Sequence, residues 1–123
     1  MILVYVAIGG AVGATARYAL SGWVQDGVGT LFPWGTLAVN VAGSFVIGII
    51  LHLSSDRFLI PPEWRSMLTT GFCGGLTTFS TFSHETLALL ENQQWSAAGG
   101  NTLLNVLLCL GATYLGLVVG RVL

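Results

Sequence analysis

Apolar residues in this chain run in long stretches rather than in the short periodic patches of a water-soluble domain. Four stretches, residues 2–23, 34–53, 64–90 and 97–123, are long enough to span a membrane; a helix needs about 20 residues to cross a hydrocarbon core about 30 Å thick. Polar or helix-breaking residues separate them: Asp26-Gly27 and Pro33, then Ser54-Ser55-Asp56-Arg57 with Pro61-Pro62, then Glu91-Asn92-Gln93-Gln94. Links this short make neighbouring helices antiparallel. The pattern therefore predicts an all-α integral membrane protein, one domain over residues 1–123 with four transmembrane helices.

The tryptophans support the same parsing. Trp23, Trp34, Trp64 and Trp95 all fall at predicted helix ends, with Phe32 and Phe58 in the adjoining loops. Indole favours the headgroup level, where its ring is apolar and its N–H is wet. Each helix also carries a small or polar stripe. Gly9, Gly13 and Arg17 share a face of the first, and Thr36, Asn40 and Ser44 a face of the second. Asn101, Asn105 and Cys109 line up on the fourth, followed by Ala112, Gly116 and Gly120. Helices in lipid associate through such residues. Four helices can satisfy few non-lipid faces internally, so the stripes point to an oligomer, with a compact monomer as the alternative. The two GxxxG matches, Gly9/Gly13 and Gly116/Gly120, do not by themselves establish dimerisation.

Composition agrees. Hydrophobic residues make up 54% of the chain and charged residues 7%, with a mean hydropathy of +0.81; soluble domains carry about 25% charge. The four basic residues are all arginines, so there is no basic patch for nucleic acid. Arg57, Arg65 and Arg121 lie on the side of the N-terminus, which weakly favours a cytoplasmic N-terminus and leaves insertion in both orientations open. The apolar N-terminus lacks a basic leader and continues past Arg17 to Trp23, so it reads as a retained helix rather than a signal peptide. Cys73 and Cys109 sit in apolar segments without metal-ligand spacing and read as small buried hydrophobes.

The third segment carries the chemistry. Gly71, Gly74 and Gly75 fall within five residues, and Thr77-Thr78 follow closely. Each glycine costs about 1 kcal/mol of helix propensity relative to alanine. At mid-membrane, broken backbone must be covered by protein or bind something. The expectation is a break near residues 74–78 whose carbonyls hold a hard cation such as sodium or partner groups; a continuous helix with a glycine packing face is the alternative. Beyond it, Phe79 and Phe82 share a face, with Ser80, Thr81, Ser83 and His84 around them. The positive edge of a benzene ring favours an anion without adding a full charge. Asn40 offers amide donors at similar depth, so these residues outline a path for a small anion.

Ionisable residues are few. Arg17 reads either as a vestibule or helix-pairing charge or as an interfacial anchor that snorkels toward Trp23. Glu85 stands one turn beyond Phe82, at a pathway mouth or at the interface. His52 reads as interfacial, and His84 lacks companions for a metal site.

The run Gly71-Phe72-Cys73-Gly74-Gly75-Leu76-Thr77-Thr78-Phe79-Ser80-Thr81-Phe82-Ser83 resembles the signature of the Fluc, or CrcB, fluoride channel family. Gly35-Thr36-Leu37 followed by Asn40, and the glycine-rich first helix ending in Arg17, resemble it too, so the likeness covers all four helices. It implies an antiparallel, dual-topology homodimer in the bacterial inner membrane. The dimer would passively conduct fluoride out of the cytoplasm along two pathways. The resemblance gives Phe79 and Phe82 ring edges lining the pathway and makes Asn40 its pore asparagine. Ser80, Thr81 and Glu85 become hydroxyl and acidic positions near the ion track, with Asn101, Asn105 and Tyr114 as looser fourth-helix candidates. It also implies a structural sodium ion at the dimer interface, held by the carbonyls of Gly74 and Thr77 from both subunits.

Two other classes compete. A small proton-coupled drug exporter needs a membrane-embedded acid, for which Glu85 is the sole candidate and lies near a helix end. An assembly subunit without transport would use its polar stripes for contact alone. No nucleophile–base pair or metal cluster points to an enzyme.

Overall fold

A computed structural model describes residues 1–56 and 59–123 of the chain. Arg57 and Phe58, assigned above to the N-terminal side and a loop, lie outside the described residues. All regular structure among the described residues is helical: α1 (Ile2–Val28), α2 (Trp34–Leu51), α3 (Pro62–Ser66), α4 (Gly74–Leu76), α5 (Phe79–Glu91) and α6 (Trp95–Val122). Widened π-helical turns extend α2 over His52–Asp56 and join α3 to α4 over Met67–Cys73. Three helices, Ile2–Val28, Trp34–Ser55 and Trp95–Val122, are long and apolar enough to cross a membrane. The chain is thus a multi-pass membrane protein, whose third apolar segment is assembled from shorter pieces.

Local chemistry sets the ends of these pieces. Asp26 and Gly27, read above as a link, are helical; α1 stops at Gly29, whose φ of 67° is left-handed and whose N–H donates to the Gln25 carbonyl at 2.9 Å. Gln25 also fastens the following loop, donating to the Thr30 and Phe32 carbonyls and accepting from Gly35 N–H. Pro62 opens α3 after an extended Pro61. Within the widened turn, Thr69 Oγ1 donates back to the Arg65 carbonyl at 2.7 Å, a side-chain bond that competes with regular helix.

The segment expected to break over residues 74–78 is still helical from Gly74 to Leu76. Only Thr77 (φ −90°, ψ 158°) and Thr78 (φ −152°, ψ 123°) are extended, a conformation that suits β-branched side chains. Thr78 then caps α5, its Oγ1 accepting from Thr81 N–H at 3.2 Å.

Glycine decides which helices touch. A methyl group on Gly9 would overlap the Met67 carbonyl oxygen, and one on Gly13 that of Phe72. From the other side, a Cβ on Gly71 would stand 2.8 Å from the Val6 carbonyl oxygen, and one on Gly75 2.8 Å from that of Gly10. So α1 lies backbone to backbone against the segment before Thr77, and the two run in the same direction. Gly48 and Gly116 do the same for α2 and α6, again in matching order, with Gly120 under the His52 ring. Both GxxxG motifs are therefore used within the chain.

Candidate functional site

The extended Thr77-Thr78 pair removes four helical hydrogen bonds, and neighbouring side chains replace several of them. In an unbroken helix Thr78 N–H would reach the Gly74 carbonyl, Phe79 N–H that of Gly75, and Thr81 N–H that of Thr77. Here Thr78 N–H donates to Asn40 Oδ1 at 2.8 Å, and Thr81 N–H goes to Thr78 Oγ1. The Gly75 carbonyl accepts from Arg17 Nε at 3.0 Å. Thr77 itself stays tied to the last helical turn, its N–H and Oγ1 both donating to the Cys73 carbonyl. The carbonyls left without their helical donors include those of Gly74 and Thr77, the two expected to hold sodium. That donor set, neutral oxygens freed in pairs by unwinding, fits a hard monovalent cation.

Asn40 clamps Thr78 from both sides. Its Oδ1 takes the Thr78 N–H, and its Nδ2 donates to the Thr78 carbonyl at 3.2 Å and to Asn105 Oδ1 at 3.0 Å. Both amide hydrogens are therefore committed inside the chain. Arg17, on α1, reaches the other side of the same break through its bond to the Gly75 carbonyl.

Beside the break opens a groove of about 840 Å³. Asn40, Ser44, Gly74, Thr77, Thr78, Phe79, Phe82 and Asn105 line it, with Cys73 and Cys109. The rings of Phe79 and Phe82 stand 5.3 Å apart at 54°. Phe82 is buried, whereas Phe79 is 78% exposed. Ser80 is exposed, and its Oγ lies 3.4 Å from Thr78 Oγ1. Thr81 contributes its N–H to the cap.

Glu85 does not join this group. It lines a smaller cavity of about 330 Å³ with Gln25, Pro33 and Asn92. Its carboxylate lies near the Thr36 hydroxyl, and Oε1 is buried without a hydrogen-bond partner among the described residues. Asn101 and Asn105 are buried on α6, while Tyr114 is 64% exposed and does not line the groove. His84 is exposed.

Sequence reasoning placed Gly75 and Thr78 inside the expected break without their partners and missed Thr86: the Gly75 carbonyl meets Arg17, Thr78 caps α5 and is gripped by Asn40, and Thr86 meets Asn101. A threonine immediately before an apolar helical run signals a cap and could have revealed that role of Thr78. The other two depend on contacts between distant segments and leave no local signal.

Comparison with known proteins places this architecture. A family model described as CrcB-like protein, Camphor Resistance (CrcB), matches residues 4–117. A protein of Magnetococcus marinus named Fluoride-specific ion channel FluC is 50% identical over 121 residues, 98% of each chain. One of the same name from Geobacter metallireducens is 52% identical over 121 residues, again 98% of each. A third, from Pelobacter propionicus, is 52% identical over 111 residues, 90% of this chain and 86% of its own. A match over nearly the whole length, through every helix that builds the break and the groove, shows that this chain belongs to the CrcB family.

Proposed function

We propose that the protein is a passive, fluoride-selective channel that lets fluoride leave the cytoplasm and so lowers its concentration in the cell. The observation that carries this is the pairing of exposed Phe79 with buried Phe82 along one groove, beside an extended backbone pair. The relatives' shared name, fluoride-specific ion channel, gives the ion. Ring edges turned to the groove would attract an anion through their positive rim, and the Ser80 and Thr81 hydroxyls would replace part of its water. Asn40 would act mainly by holding Thr78.

The working unit is an antiparallel homodimer of dual topology in the bacterial inner membrane. Support comes from the groove itself. The Gly74 and Thr77 carbonyls, freed of their helical donors, cannot face lipid hydrocarbon, where each unsatisfied group costs several kcal/mol, so another copy would cover them. In this reading residues 62–91 form one membrane span broken at Thr77-Thr78, and the Gly74 and Thr77 carbonyls of both copies hold a structural sodium ion. Bound there, sodium supplies a fixed positive charge that ties the copies together.

The proton-coupled exporter reading has no acid in the groove, because Glu85 lines a separate cavity. The test is release of fluoride from liposomes containing the purified protein, read by an ion-selective electrode. Fluoride should leave rapidly and chloride should not. Absent release, or equal release of both, would refute the reading.

A further inference from the structure

We infer that Asn101, Asn105 and Thr86 are positioning residues, joined in a one-way hydrogen-bond relay that fixes the Thr78 backbone relative to Phe82. The relay starts at the break. Thr78 N–H donates to Asn40 Oδ1 at 2.8 Å, and Asn40 Nδ2 donates to Asn105 Oδ1 at 3.0 Å. Asn105 Nδ2 then donates to Asn101 Oδ1 at 2.9 Å, and Asn101 Nδ2 to Thr86 Oγ1 at 2.9 Å. Thr86 Oγ1 in turn donates to the Phe82 carbonyl at 2.8 Å. Every link points the same way, so each amide polarises the next and the chain is stronger than its separate bonds.

The relay forms an arch. It leaves the chain at Thr78, passes through α2 and α6, and returns at Phe82, one turn into α5. Its two ends bracket Phe79, whose side chain has little else to hold it. The three asparagines are 8%, 7% and 1% exposed at Asn40, Asn105 and Asn101, so water cannot substitute for a lost link. Asn105 Nδ2 also reaches the Asn101 carbonyl at 2.9 Å, which fixes its amide against rotation. Asn105 has both amide donors spent on this chain, and Asn101 has one. The looser resemblance made them fourth-helix candidates only; the geometry assigns them to holding the pore's backbone.

The inference rests on the fluoride-channel reading for its functional consequence, but its structural core can be read without ion flux. In the parent protein in micelles, hydrogen exchange followed by NMR should show slow exchange for Thr78 N–H and for the carboxamides of Asn40, Asn101 and Asn105. Fast exchange at any one of them overturns the relay. Thr86→Val keeps the shape but removes the hydroxyl that accepts from Asn101 and donates to the Phe82 carbonyl. It should shift the Thr78 amide proton, which Thr86 does not touch, and slow fluoride release at least about fivefold, as leaving one buried donor unpaired implies. Thr86→Ser keeps the hydroxyl and should restore both. An unmoved Thr78 resonance in a folded Thr86→Val protein, or parent-rate release from it, refutes the inference. If the parent itself releases no fluoride, the channel reading fails while the exchange result still decides the relay.

Discussion

Replacing Gly13 by alanine should force apart the two segments that hold the break. The added Cβ would overlap the Phe72 carbonyl oxygen and stand 3.0 Å from Leu76 N and Phe72 C. All three atoms are backbone, so no side chain can swing clear, and α1 must retreat on the order of 1 Å to reach ordinary contact distance. Overpacking of this kind costs about 1–3 kcal/mol. The retreat also stretches the 3.0 Å bond from Arg17 Nε, one turn along α1, to the Gly75 carbonyl; interhelical side-chain bonds in membranes contribute roughly 0.6–2 kcal/mol. Against this, alanine gains about 1 kcal/mol of helix propensity. The losses win, by on the order of 1–4 kcal/mol. Gly22→Ala is the internal control, because nothing lies within 4 Å of its Cβ and only the propensity gain of up to about 1 kcal/mol applies. Steric-trap unfolding in micelles would measure both. Gly13→Ala should be clearly less stable than the parent and Gly22→Ala equal or better. Equal stability of the two variants would refute the close-packing account.

Phe79→Ile and Phe82→Ile should each slow fluoride release from liposomes while the dimer survives on size-exclusion chromatography, since the ring edge is lost but apolar volume is largely kept; unchanged release in both would count against the aromatic path. Thr78→Val removes the cap for Thr81 N–H and should cost about 1 kcal/mol in the same unfolding assay, with Thr78→Ser close to the parent. Exchanging sodium for N-methylglucamine during purification should loosen the dimer, seen as a shift toward monomer in cross-linking; a dimer indifferent to the cation would argue against a structural sodium ion.

The long apolar runs were legible in sequence because they follow from bilayer thickness; Trp34, Trp64 and Trp95 do lie at or near helix starts, whereas Trp23 lies inside α1. The unusual third segment was legible too, since glycines and threonines are costly in a membrane helix. What sequence could not supply is where its freed backbone groups go. Thr78 is gripped by Asn40 from 38 positions away, and Gly75 by Arg17 from 58; only folding brings these partners together. The same holds for the GxxxG motifs, whose spacing makes a helix face close-packing without saying against what. Here the partner is the same chain. Asp26-Gly27 looked like a helix stop, yet the turn needed the left-handed conformation that Gly29 supplies. Glu85, one turn from Phe82 in sequence, lines a separate cavity.

The central claim is that an anion passes along the Phe79–Phe82 groove down its own gradient. Single-channel recording in a planar bilayer tests it most directly, with opposed fluoride and chloride gradients and then an added pH gradient. The account predicts current that reverses at the fluoride equilibrium potential and ignores the other two ions. Reversal that follows chloride or protons, or no current at all, would contradict it.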